Sequence, residues 1–508
     1  MDAPPVSKKS GFLALMLALA GAVLAGLGAL YFAEAEAVAG EVSARVWEAS
    51  RWWMFVIMPV GLGIILYLRD HFFQGTDGTG IPQTIASLAM GPGEARDRLL
   101  SIRVAIGKLI LTTLGLFSFL SIGREGPSVQ LGACFMHQVS KWAKFPAHLV
   151  QRGLILGGGA AGIAAAFNAP IAGIVFTFEE IGRSFDKANL GTIVRTVIVA
   201  CVVCMAVLGN YFFYGRLDEG MAMPVEFVTP GPWIAVLLIG AVGGLLGGGF
   251  STLLLRLMPA VSRAIRARFW AVALVFGLLS AGLAVWSDGM TLGSGYEQSR
   301  ALVLEGSPEY VATLAESDRE RIEEVRAQIG VWYPVQRAAA SMLALLTGIP
   351  GGLFDPSFSV GAGLGKVLTP FLEWTGASPQ TIVLLFVVAY FSGVVQSPMT
   401  SFIILVEMTG CVAFTLPLAA AAIVAYEASR RVCPTALYEA LAERFLEATT
   451  AKYGRFHQVR PEVVLEVTFD IVQPSKRHKA GYALRFPRIL RVRDDKLPHE
   501  IDTLARVR

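Results

Sequence analysis

Apolar runs interrupted by glycine and proline set the pattern of this chain. Runs fall near Phe12–Phe32, Trp52–Leu68, Ile102–Phe119, Leu154–Phe167, Thr192–Phe213 and Trp233–Leu255. Others follow near Trp270–Trp286, Ala338–Leu346, Val367–Leu372, Thr381–Phe391, Ser401–Leu405 and Ala413–Ala425. Many are shorter than the roughly 20 residues a helix needs to cross about 30 Å of hydrocarbon. The pattern predicts an all-α polytopic membrane protein in which several helices are broken or re-entrant. Phe12–Phe32 follows Lys8 and Lys9 as a signal peptide would, but it is long enough to span. We read it as the first membrane helix, with the N-terminus cytoplasmic.

Composition agrees: of 508 residues 54% are hydrophobic and 16% charged, which excludes an ordinary soluble enzyme. The 53 glycines suit helices that pack closely or break. A net charge of +4 says little about substrate. Five cysteines lie in apolar segments, and only Cys201 and Cys204 have CxxC spacing. With no second pair or nearby histidine to complete a site, neither a metal nor a cofactor is implied.

The chain repeats itself. Gly123-Arg-Glu-Gly-Pro127-Ser-Val-Gln-Leu-Gly132 aligns with Gly352-Leu-Phe-Asp-Pro356-Ser-Phe-Ser-Val-Gly361 at an offset of 229. Pro170–Glu179 lies over Pro398–Glu407 at an offset of 228, and Gly78-Thr79-Gly80 over Gly293-Ser294-Gly295 at 215. Two membrane repeats are therefore expected, roughly residues 10–215 and 230–450 of a membrane domain spanning 1–450. The loop 91–103 carries net +1 and its counterpart 308–328 net −3, which leans towards an inverted arrangement.

Gly123-Arg124-Glu125-Gly126-Pro127 places two opposite charges at membrane depth, where ionisable groups are costly and usually functional. Gly126-Pro127 reads as a helix start inside the membrane. Free N–H groups and the positive dipole end then attract an anion. Glu125, itself an anion at that mouth, would occupy the site when ionised and leave it when protonated.

Four stretches, Gly78-Thr79-Gly80-Ile81-Pro82, Gly123–Pro127, Gly352-Leu353-Phe354-Asp355-Pro356 and Tyr438 at a late helix start, together resemble the selectivity-filter motifs of the CLC family of chloride channels and chloride/proton antiporters. The resemblance covers roughly residues 10–450. It implies that the Thr79 hydroxyl, the Tyr438 phenol and the backbone amides of Leu353 and Phe354 bind a dehydrated chloride, since neutral donors hold the ion without trapping it. It implies that Glu125 is the external gate, that Glu180 is the internal proton-transferring glutamate, and that Arg124, Gly123, Gly126 and Pro127 support the gate. Lys108 resembles a basic residue near the inner proton entrance, although Ile85 stands where its acidic partner is expected. Snorkelling towards the membrane surface is the competing explanation for Lys108.

The family resemblance implies a chloride/proton antiporter, not an enzyme, working as a homodimer in a lipid bilayer, in a bacterial inner membrane with both termini cytoplasmic. A passive voltage- or pH-gated chloride channel is the alternative. A fluoride exporter is disfavoured because Pro127 is retained. Thr79 adds a methyl where serine is frequent, and Asp355 adds a charge near the pore. The competing structural explanations are that Glu125 only pairs with Arg124, that Glu180 is a helix-end charge, and that Tyr438 is an interfacial anchor.

After Ala451 the composition changes. Tyr453–Arg508 holds twelve Lys/Arg against seven Asp/Glu, net +5, and Val463–Phe469 alternates as a strand does. Phe469–Gly481 with Arg485-Phe486-Pro487-Arg488 and Arg491–Lys496 resembles the C-terminal oligonucleotide-binding-fold end of ATP-dependent DNA ligases. In that family such basic residues, here Arg485, Arg488 and Lys496, assist nucleotide chemistry. The nucleophilic lysine motif is absent. The segment 451–508 is expected to be a soluble basic tail: an inactive remnant, a gene-boundary artefact, or a module for nucleic acid or anionic lipid. Nucleic acid is the disfavoured partner.

Overall fold

The computed structural model describes residues 8–90, 93–142, 150–184, 187, 189–209, 211–217 and 225–449, together with short strands beyond them. By contacts it forms two units, Met1–Phe445 and Leu446–Arg508.

The first unit is all helical. Its first half contains α1 (Lys8–Ala49), α2 (Met54–His71), α3 (Ile81–Ala89), α4 (Glu94–Leu99), α5 (Ile102–Phe117), α6 (Glu125–Trp142), α7 (Val150–Phe167), α8 (Pro170–Phe176) and α9 (Leu190–Leu208). The second contains α10 (Pro230–Trp286), α11 (Tyr296–Val303), α12 (Pro308–Thr313), α13 (Glu316–Gln328), α14 (Tyr333–Leu346), α15 (Phe354–Leu368), α16 (Pro379–Val395), α17 (Pro398–Thr409), α18 (Thr415–Val432) and α19 (Leu437–Thr449). The apolar runs at Trp233–Leu255 and Trp270–Trp286 join in α10, whose backbone breaks at Arg268 (φ −151°, ψ 65°). The helix expected at Gly126 begins at Glu125, so the carboxylate sits in the first turn.

Six helical stretches of the described residues are long and apolar enough to cross a membrane: Met16–Ala49, Arg51–His71, Glu94–Phe117, Leu190–Leu208, Pro230–Trp286 and Val412–Val432. Their outward faces carry exposed side chains such as Leu237, Val202 and Ile423, as a lipid-facing surface requires. α16 is apolar along its length yet enclosed by protein throughout Gln380–Val395. Hydropathy alone cannot separate such a helix from a lipid-facing one.

Corresponding positions of the two repeats carry matching local structure. Gly80 and Gly295, with φ of 97° and 95°, stand as left-handed N-caps before α3 and α11, a conformation that favours glycine. Asn168 (φ 52°) and Gln396 (φ 59°) turn the chain two residues before Pro170 and Pro398, which open α8 and α17. Close helix contacts are paired too. A side chain at Gly132 would strike the Gly158 carbonyl of α7, and one at Gly361 the Phe386 carbonyl of α16. Small residues let helices approach in lipid, where apolar burial supplies little driving force.

In the second unit Leu465–Thr468 pairs antiparallel with Arg488–Val492, and Ile471–Pro474 with Tyr482–Arg485. The first falls within the alternating stretch read as a strand. The side chains of Arg485, Arg488 and Lys496 lie outside the described residues.

Candidate functional site

The two buried helix starts meet through one pair of glycines. Gly123 N donates to Gly352 O at 2.9 Å and Gly352 N to Gly123 O at 2.5 Å, an isolated antiparallel bridge between repeat mates. A Cβ on either glycine would collide with the Glu125 carboxylate, which therefore lies against this bridge. The positive dipole ends of α6 and α15 thus converge on one place, each bringing a carboxylate in its first turn: Glu125 and Asp355.

Both carboxyl groups are fully buried, and as ionised carboxylates they find no donor among the described residues; the groups within reach of them are each other. Glu125 is the charged group acting most strongly on Asp355, followed by Glu36. Arg124 does not pair with its neighbour. Its Nε lies 3.0 Å from Glu36 of α1, and its guanidinium sits 5.8 Å from the Phe213 ring centre. Three carboxylates thus share one buried cation, and unpaired charge is expensive in such a site.

Thr79 is held in a loop threaded past α6. Its carbonyl and Cβ crowd Gly126, where a side chain could not fit. Lys108 Nζ donates to the carbonyls of Thr76 at 2.7 Å and Gly78 at 2.6 Å. Gln130 Nε2 adds bonds to Gly75 and Leu99, both at 3.0 Å. Lys108 is completely buried, so its ammonium does not snorkel. Thus held, Thr79 has a buried hydroxyl without a partner among the described residues. Tyr438, at the start of α19, is likewise buried with an unpartnered phenol, and it feels the charges of both Glu180 and Glu125.

Leu353 and Phe354 are buried at the first turn of α15, where backbone amides have no intrahelical acceptor. The Phe354 ring packs against Phe167, Phe176 and Phe391 at centroid distances of 6.0, 5.7 and 4.6 Å. These aromatics wall the polar groups with apolar surface.

Glu180 lies in a π-turn over Thr177–Ile181 that follows α8. Such turns replace a regular helical turn and re-aim side chains. One Glu180 oxygen accepts from Ser397 Oγ at 2.7 Å, and Arg183 donates to the other at 3.4 Å. Glu179 faces the other repeat, accepting from the amides of Met399 at 2.9 Å and Thr400 at 2.7 Å. Its mate Glu407 accepts from the amides of Ile171 at 3.0 Å and Ala172 at 2.7 Å. Sequence reasoning missed the Glu36–Arg124 pair, the Arg183 contacts and Arg337, whose buried guanidinium donates to the carbonyls of Thr291 and Gly293; Arg337 stands 229 residues after Lys108 and was findable from the repeat.

Residues 61–430 match the family model described as the voltage gated chloride channel. The chain belongs to this CLC family. It is accordingly an integral, multi-pass membrane protein of a transport family, with the family's all-helical fold. It is 26% identical over 404 residues to the H(+)/Cl(-) exchange transporter ClcA of Yersinia pestis bv. Antiqua (strain Angola), covering 78% of each chain. It is also 26% identical over 429 residues to ClcA of Vibrio cholerae serotype O1, covering 81% of this chain and 85% of that one. A crystal structure of a slow cyanobacterial Cl-/H+ antiporter superimposes with a TM-score of 0.66 at 21% identity, covering 87% of this chain and 99% of the other. A CLC-type fluoride/proton antiporter gives 0.67 at 20% identity, covering 86% and 98%. A further 68-residue match, 57% identical, is to a probable DNA ligase of Opitutus terrae; it covers 13% of this chain and 7% of the ligase.

Proposed function

We propose that this CLC protein exchanges chloride for protons across its membrane. What supports the reading is that the Thr79 loop packs on Gly126 at the start of α6, that Tyr438 lies within electrostatic reach of Glu125, and that the Thr79 hydroxyl, the Tyr438 phenol and the Glu125 carboxylate are all buried without a donor or acceptor among the described residues. Hydroxyl donors enclosed by apolar walls suit a dehydrated anion. In this reading Thr79, Tyr438 and the amides of Leu353 and Phe354 hold chloride. Glu125 enters that place when ionised and leaves when protonated, with Gly123, Gly126 and Pro127 giving it room. Glu180, whose charge also acts on the phenol, supplies the second proton station. Arg124 balances charge, and Lys108 supports the Thr79 loop.

Two copies forming a homodimer in a bacterial inner membrane, with cytoplasmic termini, complete the proposal. The tail 451–508 takes no part in ion movement and is a remnant of a ligase-like segment. Salt-sensitive DNA binding by the full chain would overturn that assignment.

The deciding experiment uses proteoliposomes under an imposed chloride gradient, comparing the parent with Glu125→Gln and Glu180→Gln. Uphill proton movement in the parent, lost in both variants, is expected, with chloride flux persisting in Glu180→Gln. Chloride leak without proton movement in the parent would make this a passive channel. Running the same assay with fluoride tests the other anion carried by a structural neighbour.

A further inference from the structure

The helix start bearing Tyr438 is tied to Glu180 by one guanidinium. Arg183 Nη2 lies 3.4 Å from one Glu180 oxygen, and its Nη1 lies 2.5 Å from Glu439. Glu439 is the residue after Tyr438 in α19. The three groups grade from interior to solvent: the side chains of Glu180, Arg183 and Glu439 are 3%, 32% and 41% exposed. They line a cavity of about 400 Å³, which Glu179, Tyr426 and Arg430 also border. Glu179 is engaged by α17 amides, and Ser397 occupies the second Glu180 oxygen. Arg183 is therefore the one cation bonded to Glu180 among the described residues, and Arg430 borders the same cavity. Arg183 also holds a left-handed backbone (φ 49°), uncommon outside glycine, two residues after the π-turn ends.

We propose that Glu180 and Glu439 compete for Arg183, making Arg183 and Glu439 a positioning pair that sets when Glu180 gains and loses its proton. When Glu180 is ionised, the guanidinium is divided between the two carboxylates. When Glu180 takes up a proton, its attraction for Arg183 falls and the cation settles on Glu439. The α19 start carrying Tyr438 thereby senses the proton load of Glu180. No bond other than the O–H of Glu180 forms or breaks, and the proton comes from water in the cavity. The inference rests on the reading of Glu180 as a proton carrier.

The test is infrared difference spectroscopy of the full chain in lipid during pH titration. The carboxyl band lost in Glu180→Gln identifies Glu180. Removing the cation in Arg183→Gln favours the protonated form, so the midpoint should move to higher pH, by about one unit. Removing its competitor in Glu439→Gln leaves Arg183 wholly to Glu180, so the midpoint should move to lower pH. The double variant should behave as Arg183→Gln does, and Glu439→Asp should stay near the parent. Opposite shifts support the pair; unchanged midpoints, or shifts in the same direction, overturn it. Because this readout needs no transport, failure of the parent to move protons in proteoliposomes would count against exchange alone.

Discussion

Lys108 and Arg337 are repeat mates that hold the same loop in the two halves. Lys108 donates to the carbonyls of Thr76 and Gly78; Arg337 Nη1 donates to those of Thr291 at 3.2 Å and Gly293 at 2.7 Å. Each acceptor lies at the equivalent position in the other repeat, just before the left-handed glycine that caps α3 or α11. Both cations are fully buried, and backbone carbonyls take the place of water around them.

It follows that Lys108→Met should disturb the anion site through Thr79 and lower stability. Leaving Thr76 and Gly78 carbonyls without their donor costs on the order of 1–3 kcal/mol. Thermal unfolding in detergent measures the loss, and the relative fluxes of chloride, bromide and nitrate report the loop. Arg337→Met should lower stability with a smaller change in anion preference. Equal changes in anion preference would show that the Lys108 effect is global.

Glu179 and Glu407 each cap a helix in the opposite repeat. Glu179→Ala and Glu407→Ala should each cost about 1 kcal/mol, as lost N-terminal caps do. Matching losses of thermal stability are expected. A loss confined to one variant would break the equivalence.

The hydroxyls of Thr79 and Tyr438 are expected to donate directly to the anion. Thr79→Val and Tyr438→Phe keep the shape and remove one donor each. A lost hydrogen bond to a charged group should weaken chloride binding roughly 10- to 100-fold. Calorimetric titration with chloride measures this directly, and unchanged affinity would remove that residue from the site.

Asp355 is expected to oppose anion binding whenever it is ionised. Asp355→Asn should tighten chloride binding several-fold at alkaline pH, because a buried like charge is removed. The gain should shrink as pH falls and Asp355 in the parent becomes protonated, until the two proteins coincide. A gain independent of pH would assign the effect to shape instead.

Much of this protein was legible in its residues. The broken apolar runs named a membrane protein, the two GxxxP stretches with their glycines marked paired helix starts, and the offsets near 229 exposed the duplication. Each of these depends on local chemistry or on comparing the chain with itself. Even the start of α6 differed by only one residue, since Glu125 suits a first helical turn.

Tertiary structure alone decided how those pieces are used. Hydropathy cannot say that α16 is enclosed by protein while α10 faces outwards, because both are apolar. Neighbouring charges in sequence suggest a pair, yet Arg124 pairs with Glu36, 88 residues away, and leaves Glu125 without a basic partner among the described residues. Lys108 looked equally able to snorkel until two carbonyls were found around its ammonium. Asp355 meets Glu125, and Arg183 reaches Glu439, only because the repeats fold against each other. The residue types determined which groups were costly to bury. Only the packing of one repeat on the other determined which of those groups received partners, and which were left without one among the described residues.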